Sequence, residues 1–310
     1  MWDRTEDVSP WRDLRKQIIE LPEDDGLRLQ FASDWEAFAA KADDGASPSA
    51  DERVIRPERA SLIRLQIQLD KLPSGASHPD WFRLRSEVNR LLISNQSDWT
   101  PSWFASAGVS EAVFSRGFIE GVTVTHTLFL DPTTRKRLFN SAPIRHLNIV
   151  GIENDSDWEQ VLDSLRSDEL AWRILSLNVD GQNITDEGID HLAASALTSL
   201  AWLSAAYNRI TESGVRRLAE VSAYGRLRSL KYVNLRGNPM DPVDQLTEDQ
   251  GVVTGVHRPE FQEKLPPLSW LRRDVVAGRV MEPDRFSFRA ANAIVEAHSS
   301  RAAGYAAGAN

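Results

Sequence analysis

The stretch "DGQNITDEGIDHL" at residues 180 to 192 recurs 26 residues later as "AYNRITESGVRRL", residues 206 to 218. An offset repeat of this length limits the fold to architectures built by stacking one supersecondary unit. Aligning on the residue before "NIT" and "RIT" exposes four matches to the template L-x-x-L-x-L-x-x-N. They are Ile144, Leu147, Ile149 and Ile152; then Ile174, Leu177, Val179 and Gln182; then Leu200, Leu203, Ala205 and Asn208; and last Leu230, Val233, Leu235 and Asn238. A fainter fifth coil precedes them at Ile119, Val122, Val124 and Thr127, and successive template ends lie 25, 30, 26 and 30 residues apart.

One short strand per coil satisfies this template, because alternate side chains point inward and bury the fourth and sixth positions while the fifth faces out. Stacked coils then give a parallel sheet. The asparagine position suits a buried side-chain amide that satisfies backbone groups where the chain leaves the strand. Asn208 and Asn238 keep it, Gln182 approximates it, and Ile152 and Thr127 depart from it. Beyond the turn, Thr185 and Thr211 read as helix N-caps, with Asp186, Glu187 and Glu212 where the helix dipole favours negative charge. Gly188 and Gly214 allow a close approach between neighbouring coils, and Trp158 replaces them in the first clear coil. Pro239 and Pro242 interrupt the last coil, so the array is expected to end there.

This pattern resembles the ribonuclease-inhibitor-like class of leucine-rich repeats over roughly residues 117 to 245. The resemblance implies an α/β solenoid of about five coils, with parallel strands on a concave face and helices on a convex face. Nearly all template residues are then core.

Residues 10 to 104 read as helical. "WRDLRKQIIEL" places Trp11, Leu14, Ile18 and Leu21 on one face, and "DGLRLQFASDWEAF" does the same with Leu27, Phe31, Trp35 and Phe38. The small and polar stretch from Ala40 to Glu52 reads as a loop, and helices resume around "ERASLIRLQIQLDKL" and "PDWFRLRSEVNRLL". Asp24 and Asp25 mark a helix start rather than an acid and base pair. "DDGLRLQFASDW", "ERASLIRLQIQL" and "FSRGFIEGVTV" together resemble a bacterial repeat-companion domain, a helical module that precedes repeats of this kind. The resemblance implies no reaction, and it implies an α-helical cap over the solenoid's open end. Residues 1–116 are therefore expected to form the cap, 117–245 the solenoid, and 246–310 a C-terminal cap and flexible tail. Trp11, Trp35, Trp81, Trp99 and Trp103 fit packing within the helical cap.

Residues 240–251 hold four acids and no base, and the sign changes beyond them, with eight Lys or Arg against six Asp or Glu in 252–310. "PEFQEKLPPLSWLRRDVVAGRV" offers Leu265, Leu268, Trp270 and Leu271 as apolar contacts for covering the last coil.

A net charge of −9 opposes a sequence-independent hold on phosphate backbones, so nucleic acid is not expected as a partner. No apolar run is long enough for a membrane span, and "MWDRTEDVSPWRD" is too acidic for a secretory signal, which places the chain in the cytoplasm. The absence of cysteine excludes disulfides and thiolate sites. No helical metal spacing, GxSxG elbow, P-loop or GxGxxG occurs, so neither a metal nor a cofactor is expected, and the chain reads as non-catalytic.

Recognition is placed on the outward template positions. The fifth positions form a polar ladder of Thr123, Asn148, Asn178, Ser204 and Asn234. The third positions give Gly121, His146, Ser176, Trp202 and Tyr232, while Asp180, Tyr207, Lys231 and Arg236 add charge and an aromatic ring. Trp and Tyr beside Arg are the types enriched at interface hot spots. Trp202 either presents its ring there or packs against another part of its own chain. The expectation is a protein-binding scaffold using this face. The alternatives are recognition by the helical domain with the repeats as a rigid arm, or a hydrolase with a site between cap and repeats.

Overall fold

The computed structural model describes residues 12–41, 50–72, 79–167, 171–223, 225–230, 232–235 and 237–239. Trp11, Lys231, Arg236, Pro242 and the C-terminal cap and tail expected over 246–310 lie outside the described residues. The described residues divide into two compact units, the first running to Gly121 with Leu138–Ile144 added, the second holding Val122–Arg137 and the described residues from Arg145 onward.

The first unit starts with four helices: α1 (Arg12–Glu20), α2 (Asp25–Lys41), α3 (Ala50–Asp70) and α4 (Trp81–Trp99). Asp24 caps α2 as its position suggested, its carboxylate accepting from the Gly26 and Leu27 amides at 2.7 and 3.2 Å. Helices reach into both ends of the stretch expected as a loop from Ala40 to Glu52, since α2 continues to Lys41 and α3 begins at Ala50, and residues 42–49 lie outside the described residues. Leu14, Ile18, Phe31, Ala60, Ile63 and Ile67 form the core between these helices, and Trp81 and Trp99 are buried as well. Leu21, expected on the apolar face of α1, is 57% exposed. It follows the last residue of α1, in the turn, where the helical period no longer aims its side chain inward.

Two strands follow, β1 (Val109–Ser115) and β2 (Phe118–Thr125), joined by Arg116 and Gly117. Both turn residues have positive φ, 47° and 80°, as a two-residue hairpin turn requires. This turn explains why three separated sequence segments belong together. Gln66 of α3 accepts from the Gly117 amide at 2.7 Å and donates to the Phe114 carbonyl at 2.9 Å. Arg28 of α2 donates to the Arg116 and Pro22 carbonyls and pairs with Glu120 at 2.9 Å. Glu120 in turn pairs with Arg116 at 2.9 Å, so its buried charge is met on two sides. Arg59 lies 4.9 Å from the Trp99 ring centroid and 4.7 Å from that of Phe114. Burial, and secondarily Arg15, push its guanidinium down to about 9, so it stays charged at neutral pH against the ring faces.

The remaining elements are α5 (Thr127–Leu130), α6 (Pro132–Ser141), β3 (His146–Val150), α7 (Asp155–Ser167), β4 (Ser176–Asn178), α8 (Asp186–Ala194), β5 (Trp202–Ser204), α9 (Glu212–Ala223) and β6 (Tyr232–Asn234). The six strands form one open sheet, flanked by helices, whose order follows the chain from β1 to β6. Sequential order of this kind is solenoid-like. β3 to β6 pair in parallel with Leu147, Leu177, Leu203 and Val233 opposite one another, the register given by the template alignment. The first, fourth and sixth template positions of these four coils are all buried.

Buried amides join the coils. Asn208 Oδ1 accepts from the Gln182 and Ile184 amides at 2.9 and 3.0 Å, while Nδ2 donates to the Val179 and Ala206 carbonyls at 2.8 and 3.2 Å. Asn238 repeats the arrangement one coil on, accepting from Ile210 N and donating to the carbonyls of Ala205 and Leu235. Gln182 accepts from Ile152 N at 2.9 Å. A second ladder runs along the helix starts. Thr185 and Thr211 cap α8 and α9 through the Glu187 and Ser213 amides, and each hydroxyl also donates to the carboxylate of the preceding coil, Asp155 or Asp186, at 2.5 Å. Gly214 lies at this contact, where a Cβ would stand 2.4 Å from Asp186 Oδ1 and 2.8 Å from Ile210 Cγ2.

Asn208→Ala is expected to remove about 3 kcal/mol or more, since it leaves several buried backbone groups unpaired. Gly214→Ala is expected to cost about 1–3 kcal/mol by overpacking. Urea unfolding followed by far-UV circular dichroism measures both.

Candidate functional site

The parallel register assembles the expected rows. His146, Ser176, Trp202 and Tyr232 stand opposite one another on successive strands, as do Asn148, Asn178, Ser204 and Asn234. By the pleat, both rows face away from the fourth-position core.

The third-position row is closed. His146 Nδ1 shares a 2.7 Å hydrogen bond with Ser176 Oγ, and both residues are buried. Trp202 is 4% exposed, so its ring is covered rather than presented to solvent. Its indole N–H has no hydrogen-bond partner. Covering the ring is favoured by its large apolar area, whereas its polar tip is left unpaid. Tyr232 takes its place in β6, and its side chain lies outside the described residues.

The fifth-position row is half-buried and tied internally. Asn148 Nδ2 donates to Thr123 Oγ1 at 3.1 Å and Asn234 Nδ2 to Ser204 Oγ at 3.0 Å. Asn178 Oδ1 accepts from the Asp180 amide at 2.9 Å. Ser204, itself buried, donates its hydroxyl to Asp180 Oδ1 at 2.6 Å, and the Ala206 amide reaches the same oxygen at 2.7 Å. Burial raises the Asp180 carboxyl above its ordinary range, with the Ser204, Ala206 and Asn178 hydrogen bonds opposing that shift.

A third row becomes visible only in three dimensions. Where each strand hands over to its turn, one residue has positive φ: Gly151 at 82°, Gly181 at 67°, Tyr207 at 55° and Gly237 at 75°. Three coils use glycine and one uses tyrosine. Tyr207 is 59% exposed, and its ring lies against Gly237, where a Cβ would stand 2.4 Å from Tyr207 Cδ1. A bulky residue in the left-handed region costs about 1–2 kcal/mol. The repeat alignment places Gly151, Gly181 and Gly237 at the offset of Tyr207, and that was the signal available for finding the strained position in the sequence.

Elsewhere, among the described residues, no group of three or more His, Asp or Glu could hold a metal ion, and no helix is long and apolar enough to cross a membrane. The chain matches no protein-family model and no curated protein.

The raised Asp180 pKa carries a sign. A carboxyl whose folded value exceeds its unfolded value favours folding at low pH, and that contribution is lost as pH rises through the folded value. Asp180→Asn keeps an oxygen for Ser204 and Ala206. Thermal melts at pH 4 and pH 7 are therefore expected to show the variant gaining on the wild type at the higher pH.

Proposed function

We propose that the coils from β2 onward form a short leucine-rich-repeat solenoid of the ribonuclease-inhibitor-like kind, that the helices before them are its repeat-companion cap, and that the chain is a non-catalytic scaffold binding another protein. The template register, the asparagine amides and the threonine caps support the first part. Tyr207 carries the last part. An aromatic side chain held in a costly backbone conformation where sister coils use glycine, and left exposed, serves something other than the fold. Aromatic rings of this kind bury much area at small entropic cost on binding.

The recognition surface proposed here is the turn end of the strands at Tyr207, together with the half-buried Asn148, Asn178 and Asp180 of the two preceding coils. Asn234 of the next coil is half-buried beside Ser204, while Lys231, Arg236 and the side chain of Tyr232 lie outside the described residues. Trp202, His146 and Ser204 support it from below, since their own surfaces are covered.

One observation favours a second reading, in which the helical unit recognises the partner. Phe82 and Ile93 of α4 are 70% and 87% exposed. Eleven residues apart on a helix, they share one face.

Tyr207→Gly is expected to stabilise the chain by about 1 kcal/mol, because it relieves the left-handed strain, and to weaken partner binding at least about tenfold. Thermal melts and affinity capture from the native host's lysate, compared by mass spectrometry with Phe82→Ser/Ile93→Ser, check both. A partner lost only with Tyr207→Gly supports the repeat surface, and one lost only with the α4 variant moves recognition to the helices. Equal capture by all three chains overturns both readings.

A further inference from the structure

Half of the Asp180 carboxylate is not used by the fold. Oδ1 takes both structural hydrogen bonds, from the Ser204 hydroxyl at 2.6 Å and the Ala206 amide at 2.7 Å. Asn234 Nδ2 donates to that same hydroxyl at 3.0 Å, and Asn178 Oδ1 holds the Asp180 amide at 2.9 Å. The side chain is thus fixed by a relay of donors that ends on one oxygen. Oδ2 accepts no hydrogen bond among the described residues, and no Lys or Arg there pairs with Asp180. The residue is half-buried, yet Oδ2 is not one of the buried atoms left without a partner, so this oxygen opens to solvent.

The coil itself does not call for a carboxylate here. Val150, Ala206 and Arg236 stand at the offset of Asp180 in the other coils, and an asparagine oxygen accepts the same two hydrogen bonds. A negative charge held half out of water with no cation beside it is costly, so it serves something other than the repeat. Its place in the fold says what. Gly181 donates its amide to the Ala206 carbonyl at 2.8 Å while Ala206 donates to Asp180, so Asp180 and Gly181 run alongside Ala206 and Tyr207. The open oxygen therefore belongs to a carboxylate anchored at the residue just before the strained, exposed ring.

We propose that Asp180 and Tyr207 together seat an arginine side chain of the partner protein, its guanidinium donating to Asp180 Oδ2 while the rest of the side chain packs on the Tyr207 ring. The inference rests on the reading of this turn end as a recognition surface and names what that surface takes. Charge selects a cation, because an uncompensated carboxylate on a chain of net charge −9 attracts one and repels an acidic partner. Coordination selects a side chain over a metal ion. One open oxygen is a single ligand, and no group of three or more His, Asp or Glu able to hold a metal occurs among the described residues. The half-buried setting and the ring select arginine over lysine. An ammonium holds its water tightly, whereas a guanidinium is weakly hydrated, donates along its edge to a carboxylate and rests its face on an aromatic ring.

Asp180→Asn provides the test, since it keeps an oxygen for Ser204 and Ala206 and removes only the charge. The full-length chain, isotope-labelled for amide NMR, is titrated with N-acetyl-arginine amide and separately with N-acetyl-citrulline amide, which has the same shape and no charge. The Ala206 amide reports directly on the carboxylate to which it donates. A ligand of this size is expected to bind in the millimolar range. The arginine probe is expected to shift the Ala206 resonance saturably, and either the citrulline probe or Asp180→Asn to weaken binding at least about tenfold. Tyr207→Gly is expected to weaken it about threefold. A shift that is equal for the two probes, that survives Asp180→Asn, or that never appears overturns the inference. Failure of the partner reading shows separately, as capture from lysate unchanged by Tyr207→Gly while the arginine probe still binds at Asp180.

Discussion

The side-chain amide of Asn208 is the interaction on which the repeat half of the molecule depends. Its four hydrogen bonds satisfy two amides and two carbonyls at the point where one strand ends and the neighbouring coil turns. Three-residue strands contribute few ladder bonds of their own, so the turns have to be held by other means. Asn238 and Gln182 do the same on either side, and the longer Gln182 reaches Ile152 N while its Nε2 returns to the Asp180 carbonyl. Once the turns are locked the strand register is fixed, and a one-residue slip would exchange the buried and outward faces.

The same logic operates at the other end of each coil and in the helical unit. Asp155 and Asp186 reach one coil forward to the threonine caps, so each helix start is tied to its predecessor as well as capped. Trp158, standing where the later coils have glycine, donates its indole N–H to the Gly188 carbonyl and is thereby both packed and satisfied. In the first unit, Gln66 and Arg28 hold the carbonyls and amide of a hairpin turn that would otherwise bury them unpaired. Polar side chains placed at turns, rather than long ladders, give both units their definition.

That arrangement decides which side chains the outward face leaves to solvent. Among the described residues the outward face of the sheet is not uniformly open: His146, Ser176 and Trp202 of the third row are covered, the fifth row is partly or fully buried and spends its polar groups on neighbours, and the ring of Tyr207 is exposed. Asn148 bonding to Thr123 and Asn234 to Ser204 show that much of the polar ladder is structural. Among the described residues at the turn end of the strands, Tyr207 is exposed and Asp180 is half-buried.

The repeat, its register, the asparagine amides, the threonine caps and the close approach at Gly214 were all legible in the sequence, because each is a local pattern repeated at fixed offsets. The grouping of "DDGLRLQFASDW", "ERASLIRLQIQL" and "FSRGFIEGVTV" was legible as a likeness, while its cause, a hairpin turn hung on Arg28 and Gln66, was not. Which outward side chains face water was not legible either. Trp202 and Tyr207 are both aromatic and both outward by template, yet one is 4% exposed and the other 59%. Exposure depends on what the rest of the chain lays over a position, and backbone strain depends on where the turn falls in three dimensions. Periodicity encodes neither, so the sequence determined the coil and its rows, and the tertiary structure alone decided which row is closed.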